Sequence, residues 1–251
     1  MNYLRFLLLA FVTTLLILLG NYHNYAYSHG KQIVAQNSEE NVEYMTALGL
    51  MQGHLLVGKE LLEEGKADQA EPHFGHPVEE LYAEVETQLQ SLNVPEFKTT
   101  LNQLHEQVKY APDDPKVGSS YESAVEAINQ AIAAIPAEKL QSPQFILATI
   151  NGMLATAGEE YQAGILDGKV VEIIEYQDSR GFVIYGENLY QNIAQQMSGE
   201  YPEAHANITE SLTGLKQAWP SVNPPDPVVK NPEEVTQLIE KIKENSEQVS
   251  S

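Results

Sequence analysis

The sequence predicts an all-α fold, a helical bundle built from two pseudo-repeated four-helix units. Three observations carry that expectation. Apolar residues recur at helical spacing along most of the chain, no stretch alternates convincingly enough for a sheet, and the hairpin pattern of the first half returns in the second. With 251 residues, 43% of them hydrophobic, the chain has enough apolar material for a sizeable core.

The first element is a leader. Arg5 precedes the apolar run Phe6 to Gly20, and Ala26-Tyr27-Ser28 offers small residues for cleavage before His29. Residues 1–28 therefore read as a signal peptide or an N-terminal anchor, and 29–40 as a polar, flexible segment. Either form places the folded part outside the cytoplasm, in a periplasm or equivalent compartment.

The first repeat is expected over 41–136. Met45, Leu48, Met51, Leu55 and Leu62 form a helical stripe that Gly65 closes. A short helical stretch follows Lys66. Pro72 and Pro77 then leave His73 to His76 in a bend, because a residue before proline avoids the helical region. Glu79 and Glu80 favour the positive end of the next helix, which Asn93 and Pro95 end. Leu101, Leu104 and Val108 mark a third helix. Ser119-Ser-Tyr-Glu122 resembles a capping box opening a fourth, with Val125, Ile128, Ile132 and Ile135 as its stripe.

The second repeat is expected over 141–251. Ser142-Pro143 opens a helix through Ile146, Ile150, Leu154, Tyr161 and Ile165 that ends at Asp167-Gly168-Lys169, and that ending falls on Glu64-Gly65-Lys66 when the halves are superposed. Ile184-Tyr185 then falls on Leu81-Tyr82. After a proline-rich linker, Val235, Leu238, Ile239 and Ile242 define the last helix.

Charge and composition narrow the function. Fourteen Lys+Arg against 35 Asp+Glu give a formal charge of −21, which repels nucleic acid and anionic lipid. There is no cysteine, so thiolate metal sites, disulfides and thiol nucleophiles are excluded. No activated nucleophile with an orienting partner and no phosphate loop stands out, so no enzyme is expected.

The chemistry concentrates at two hairpins. If the arms around Gly65 run antiparallel, His54 and His76 sit at one level, with His73 and Met51 within a turn of it. Imidazole and thioether ligands then suit copper or zinc. Met45 and Met51 fit a core equally well. The second hairpin brings Glu160-Tyr161 opposite Glu175-Tyr176, oxygen ligands suited to ferric iron, or else hydrogen-bonded interface residues. The candidate metal ligands are His54, His73, His76 and Met51, with Glu160, Glu175 and Tyr176 as a second site.

Two resemblances follow from the residues. Glu160-Tyr161-Gln-Ala163-Gly-Ile165-Leu-Asp167-Gly168-Lys169-Val170, with Glu175-Tyr176 and Phe182, resembles the periplasmic helical segment found next to or fused with high-affinity iron permeases. The Gly53-His54-Leu hairpin, the His73-Phe-Gly-His76-Pro77 bend and the Tyr176-Gln-Asp-Ser-Arg-Gly-Phe182 segment resemble uncharacterised exported bacterial helical-bundle proteins. The metal-binding Gly-x-His-x-x-Glu motif of imelysin-like proteins is not matched. The resemblance implies iron, and a metal-transport or envelope membrane protein as partner. The reading is an exported helical protein that binds or delivers a transition metal ion, iron or copper first and zinc third. The alternative is a scaffold or protein-interaction module without metal.

Overall fold

A computed structural model describes residues 39–249. The expected leader and nearly all of the segment 29–40 lie outside the described residues. From Val42 onward the chain forms one compact unit with a single hydrophobic cluster running through both expected halves.

Helix α1 covers 39–63, and Gly65 closes it with a φ of 73°, a conformation that costs a residue without Cβ little. Helix α2 spans Ala67–His76 and continues directly into a π-helical turn, Pro77–Leu81, and then α3, Tyr82–Ser91. The expected bend at His73 to His76 is thus corrected. Proline lacks the N–H for an intrahelical bond, and the chain accommodates Pro77 by widening one turn rather than leaving the helix.

Helices α4, Lys98–Tyr110, and α5, Lys116–Ala133, complete the first half. The expected capping box at Ser119 is not used. Because α5 already begins at Lys116, the Ser119 hydroxyl lies inside the helix and donates back to the Lys116 carbonyl. Helix α1 is tied to α5 by Tyr44 Oη donating to Ala131 O at 3.3 Å and Gln52 Nε2 donating to Asn129 Oδ1 at 3.0 Å.

After the short α6, Ala137–Leu140, Ser142 caps α7, Pro143–Gly164, by accepting from Phe145 N. A two-residue ladder joins α7 to α8: β1, Ile165–Leu166, pairs antiparallel with β2, Lys169–Val170. Asp167 and Gly168 turn it with φ of 50° and 75°, the twist a tight hairpin requires. This small ladder was not expected from a helical pattern. Helices α8, Ile173–Glu200, α9, Pro202–Lys216, and α10, Pro232–Glu247, follow. Neighbour packing runs α7 to α8, α8 to α9, α9 to α10 and α10 back to α7, which closes a four-helix bundle. Asn231 and Glu234 make a full capping box at the start of α10.

Two features position the site. Helices α1 and α8 cross at a glycine pair: a Cβ built on Gly181 would stand 2.3 Å from Gly53 O, and one on Gly53 would stand 2.7 Å from Phe182 Cδ1. Backbone therefore touches backbone there. The second is the connection from α9 to α10. Along it, Ser221 O accepts from Tyr176 Oη, Val222 O from Gln177 Nε2, and Lys230 O from Tyr161 Oη. Asn223 bonds Glu64 and Lys66 beside the Gly65 turn, and Val228 N donates to Gly168 O at the other turn. Among the described residues no helix is long and apolar enough to cross a membrane.

Candidate metal centre

The glycine crossing explains why His54 and Asp178 meet. His54 follows Gly53 on α1, and Asp178 lies one turn before Gly181 on α8, so the close approach sets both side chains in one buried layer. The last turn of α2 brings His73 and His76 to the same place. His54 Nδ1 lies 2.6 Å from Asp178 Oδ1, His73 Nδ1 2.7 Å from the same oxygen, and His76 Nδ1 3.1 Å from Oδ2. One carboxylate thus faces three imidazoles. The His54 and His76 ring centroids are 5.0 Å apart, and His73 lies 6.5 and 6.2 Å from them.

His54, His73 and Asp178 are buried, and each offers a ligand atom within 4.8 Å of the others. His76 is the more open member, with 19% of its side chain exposed and Nε2 turned toward Glu80 at 3.9 Å. Phe182 packs edge-on against His54 and closes the apolar side. Behind His73, its Nε2 meets Gln177 Oε1 at 3.0 Å.

Charge in this layer is strongly coupled. Burial would raise the Asp178 carboxyl, but the charge of His54 and hydrogen bonds from His54, His73 and His76 hold it well below the usual range. Burial would lower His76, yet its hydrogen bond to Asp178 and the charges of Asp178, Glu80 and Glu175 raise it to about 9. Because that value lies above the unfolded 6.5, the stabilisation His76 provides is complete below about pH 6.5 and is lost as pH rises through about 9. The protein is expected to lose melting temperature over that window, and His76→Gln to flatten the decline. An equal slope in both proteins would refute the assignment.

At the second hairpin the two carboxyls pair with each other. Glu160 is raised to about 8 by burial, by its hydrogen bond to Glu175 and by the charges of Glu175, Asp178 and Glu80. Glu160 and Glu175 are half-buried. The charges of Glu175 on His76 and of Asp178 on Glu160 link the oxygen and nitrogen sets of the two hairpins electrostatically.

Two candidates turn elsewhere. Tyr176 Oη donates to Ser221 O at 3.2 Å, because a buried phenol needs a partner and the α9–α10 connection supplies a carbonyl. Met51 is wholly buried in the hydrophobic core. Asp178, at the centre of the arrangement, was missing from the expected ligand set. Its signal in the sequence was the pair Gln177-Asp178 next to Tyr176, a polar step inside the buried first half of α8.

No curated protein and no solved structure matches the chain. The family match that does emerge covers the half supplying Glu160, Glu175 and Asp178 and leaves the three histidines outside it. Residues 136–251, from the start of α6 to the C-terminus, are similar to the iron permease-associated 4-helix bundle domain, whose family model they match.

Proposed function

We propose that this chain is an exported, iron-uptake-related protein that binds a transition metal ion through His54, His73 and Asp178, with His76 at the open edge, and hands it to a membrane permease. The observation that carries the reading is the convergence of three imidazoles on one buried carboxylate, with two nitrogens at 2.6 and 2.7 Å from a single oxygen. Two histidines and a carboxylate suit ferrous iron and zinc better than cuprous copper, which favours thioether and thiolate. The match to a domain associated with iron permeases supports iron as the cargo and a permease as the partner. The charges of Glu80 and Glu175 act on His76, and Glu160 hydrogen-bonds Glu175, which gives the cluster a hard-oxygen side from which a cation can approach.

Elemental analysis of the protein from its native compartment, with anaerobic Fe(II) titration of the metal-free form, tests this. One ion per chain is expected, lost in His54→Ala/His73→Ala. Ion at a hundred times its Kd should stabilise the fold by about 2.7 kcal/mol. A chain that takes up no ion, with the variant unchanged as a ligand for its membrane partners, would favour the scaffold reading.

A further inference from the structure

We infer that Gln177 is a positioning residue that commits His73 to bind the ion through Nδ1, in a site that excludes coordination by Nε2. This rests on the metal-site reading and assigns the coordinating atom and the group that selects it. The direction of each hydrogen bond is fixed by a chain that starts at the backbone. Val222 O can only accept, and Gln177 Nε2 lies 3.3 Å from it. The same nitrogen lies 3.0 Å from Gln69 Oε1. With both amide hydrogens spent, Gln177 presents Oε1 to His73, and an amide oxygen can only accept. The His73 Nε2 at 3.0 Å must therefore carry a hydrogen.

The consequence falls on the other ring nitrogen. With Nε2 held as N–H, a neutral His73 carries its lone pair on Nδ1, which points at Asp178 Oδ1 2.7 Å away. A lone pair and a carboxylate oxygen at that separation, both fully buried, need a positive charge between them. An ion held between them supplies it. An oxygen acceptor behind a ligating imidazole also fixes the ring plane and makes the ligating nitrogen a better donor.

The geometry also separates the histidines by role. His73 is wholly buried and held at both nitrogens, whereas His76 is partly open and has a carboxylate on each side. His73 is thus the preset ligand of the site.

The test uses the full chain labelled with 15N-histidine, with Zn(II) as a diamagnetic probe. Long-range 1H–15N correlation of His73 should show a retained Nε2–H before and after Zn(II), with the metal-induced shift on Nδ1. Gln177→Leu should weaken Zn(II) binding by about ten- to hundredfold and release the Nε2–H preference. Gln177→Glu, which keeps an acceptor behind the ring, should retain that preference and bind Zn(II) more tightly than Gln177→Leu. The wild-type spectrum reports the coordinating atom even if a variant fails to fold. Coordination through Nε2, or undiminished Zn(II) affinity in Gln177→Leu, overturns this assignment and leaves the metal site standing. A wild-type chain that binds no Zn(II) and no Fe(II) overturns both.

Discussion

Replacing Asp178 with alanine is expected to cost about 3–5 kcal/mol of stability, because it strips the common acceptor from three imidazoles in one buried layer. His54 Nδ1 and His73 Nδ1 lose a partner together, and both rings are buried, so water cannot replace the carboxylate without opening the α1–α8 crossing. Asp178→Asn should fall between wild type and alanine: one oxygen still accepts, but the amide nitrogen opposes the third histidine. Denaturant unfolding at pH 7 measures the difference. A loss under about 1 kcal/mol for Asp178→Ala would mean that the imidazoles find other partners and that the carboxylate is not their anchor. Either substitution should also abolish ion uptake, since it removes the anionic ligand.

Gly181→Ala has the second large effect. The added carbon would lie 2.3 Å from Gly53 O, 2.8 Å from Gly53 C and 2.9 Å from Val57 Cγ2. Two of those atoms are backbone and cannot rotate aside, so α1 and α8 must separate. Overpacking of this kind costs about 1–3 kcal/mol, and more where the obstacle is rigid. We expect the upper end of that range and a parallel loss of ion affinity, since the crossing that would spread is the one that holds His54 against Asp178. Gly199→Ala is the control on the same helix. Its Cβ meets nothing within 4 Å, so a gain of about 0.5–1 kcal/mol is expected from helix propensity. Thermal melts and Zn(II) titrations of the two variants side by side decide the matter. If Gly181→Ala melts with wild type, the helices tolerate a wider crossing and the proposed coupling of packing to chemistry is refuted.

The sequence carried the helices well because their stripes are local. Leu101, Leu104 and Val108, or Val235 and Ile242, announce a buried face without reference to any other part of the chain, and these residues are buried in the core. Gly65 and Gly168 likewise announce their turns, and both adopt positive φ. The histidine grouping was legible for a related reason. Residues equidistant from one turn in an antiparallel hairpin meet, and the His54 and His76 rings do. What stayed hidden was the pairing of one hairpin with the other. Nothing near Asp178 names His54 as its partner, because the contact depends on a crossing between helices far apart in sequence. Gly53 and Gly181 mark that crossing, but a glycine within a helix is ambiguous until its opposite number is known. Tyr176 misled for the complementary reason. Its position beside Glu175 is local information, whereas the direction of its hydroxyl is set by Ser221, on a connection that periodicity cannot place.

That connection between α9 and α10 also governs the order in which the site can be completed. The imidazoles, the carboxylate and the Val222 carbonyl that orients Gln177 are contributed by three successive stretches of the chain. A chain emerging from its N-terminus presents the histidines first and the carboxylate much later, with the orienting carbonyl last of all. The helices of each hairpin can form early, since their contacts are local, but the centre itself is assembled from sequence-distant pairs, the slow kind to bring together. The same stretch fastens to the turns at Gly65 and Gly168, so its docking joins the tips of both hairpins as it sets the inner wall. The arrangement is a latch set after the ligands: a nascent chain has every ligand once Asp178 is made, yet lacks the wall that orients Gln177 until Val222 follows.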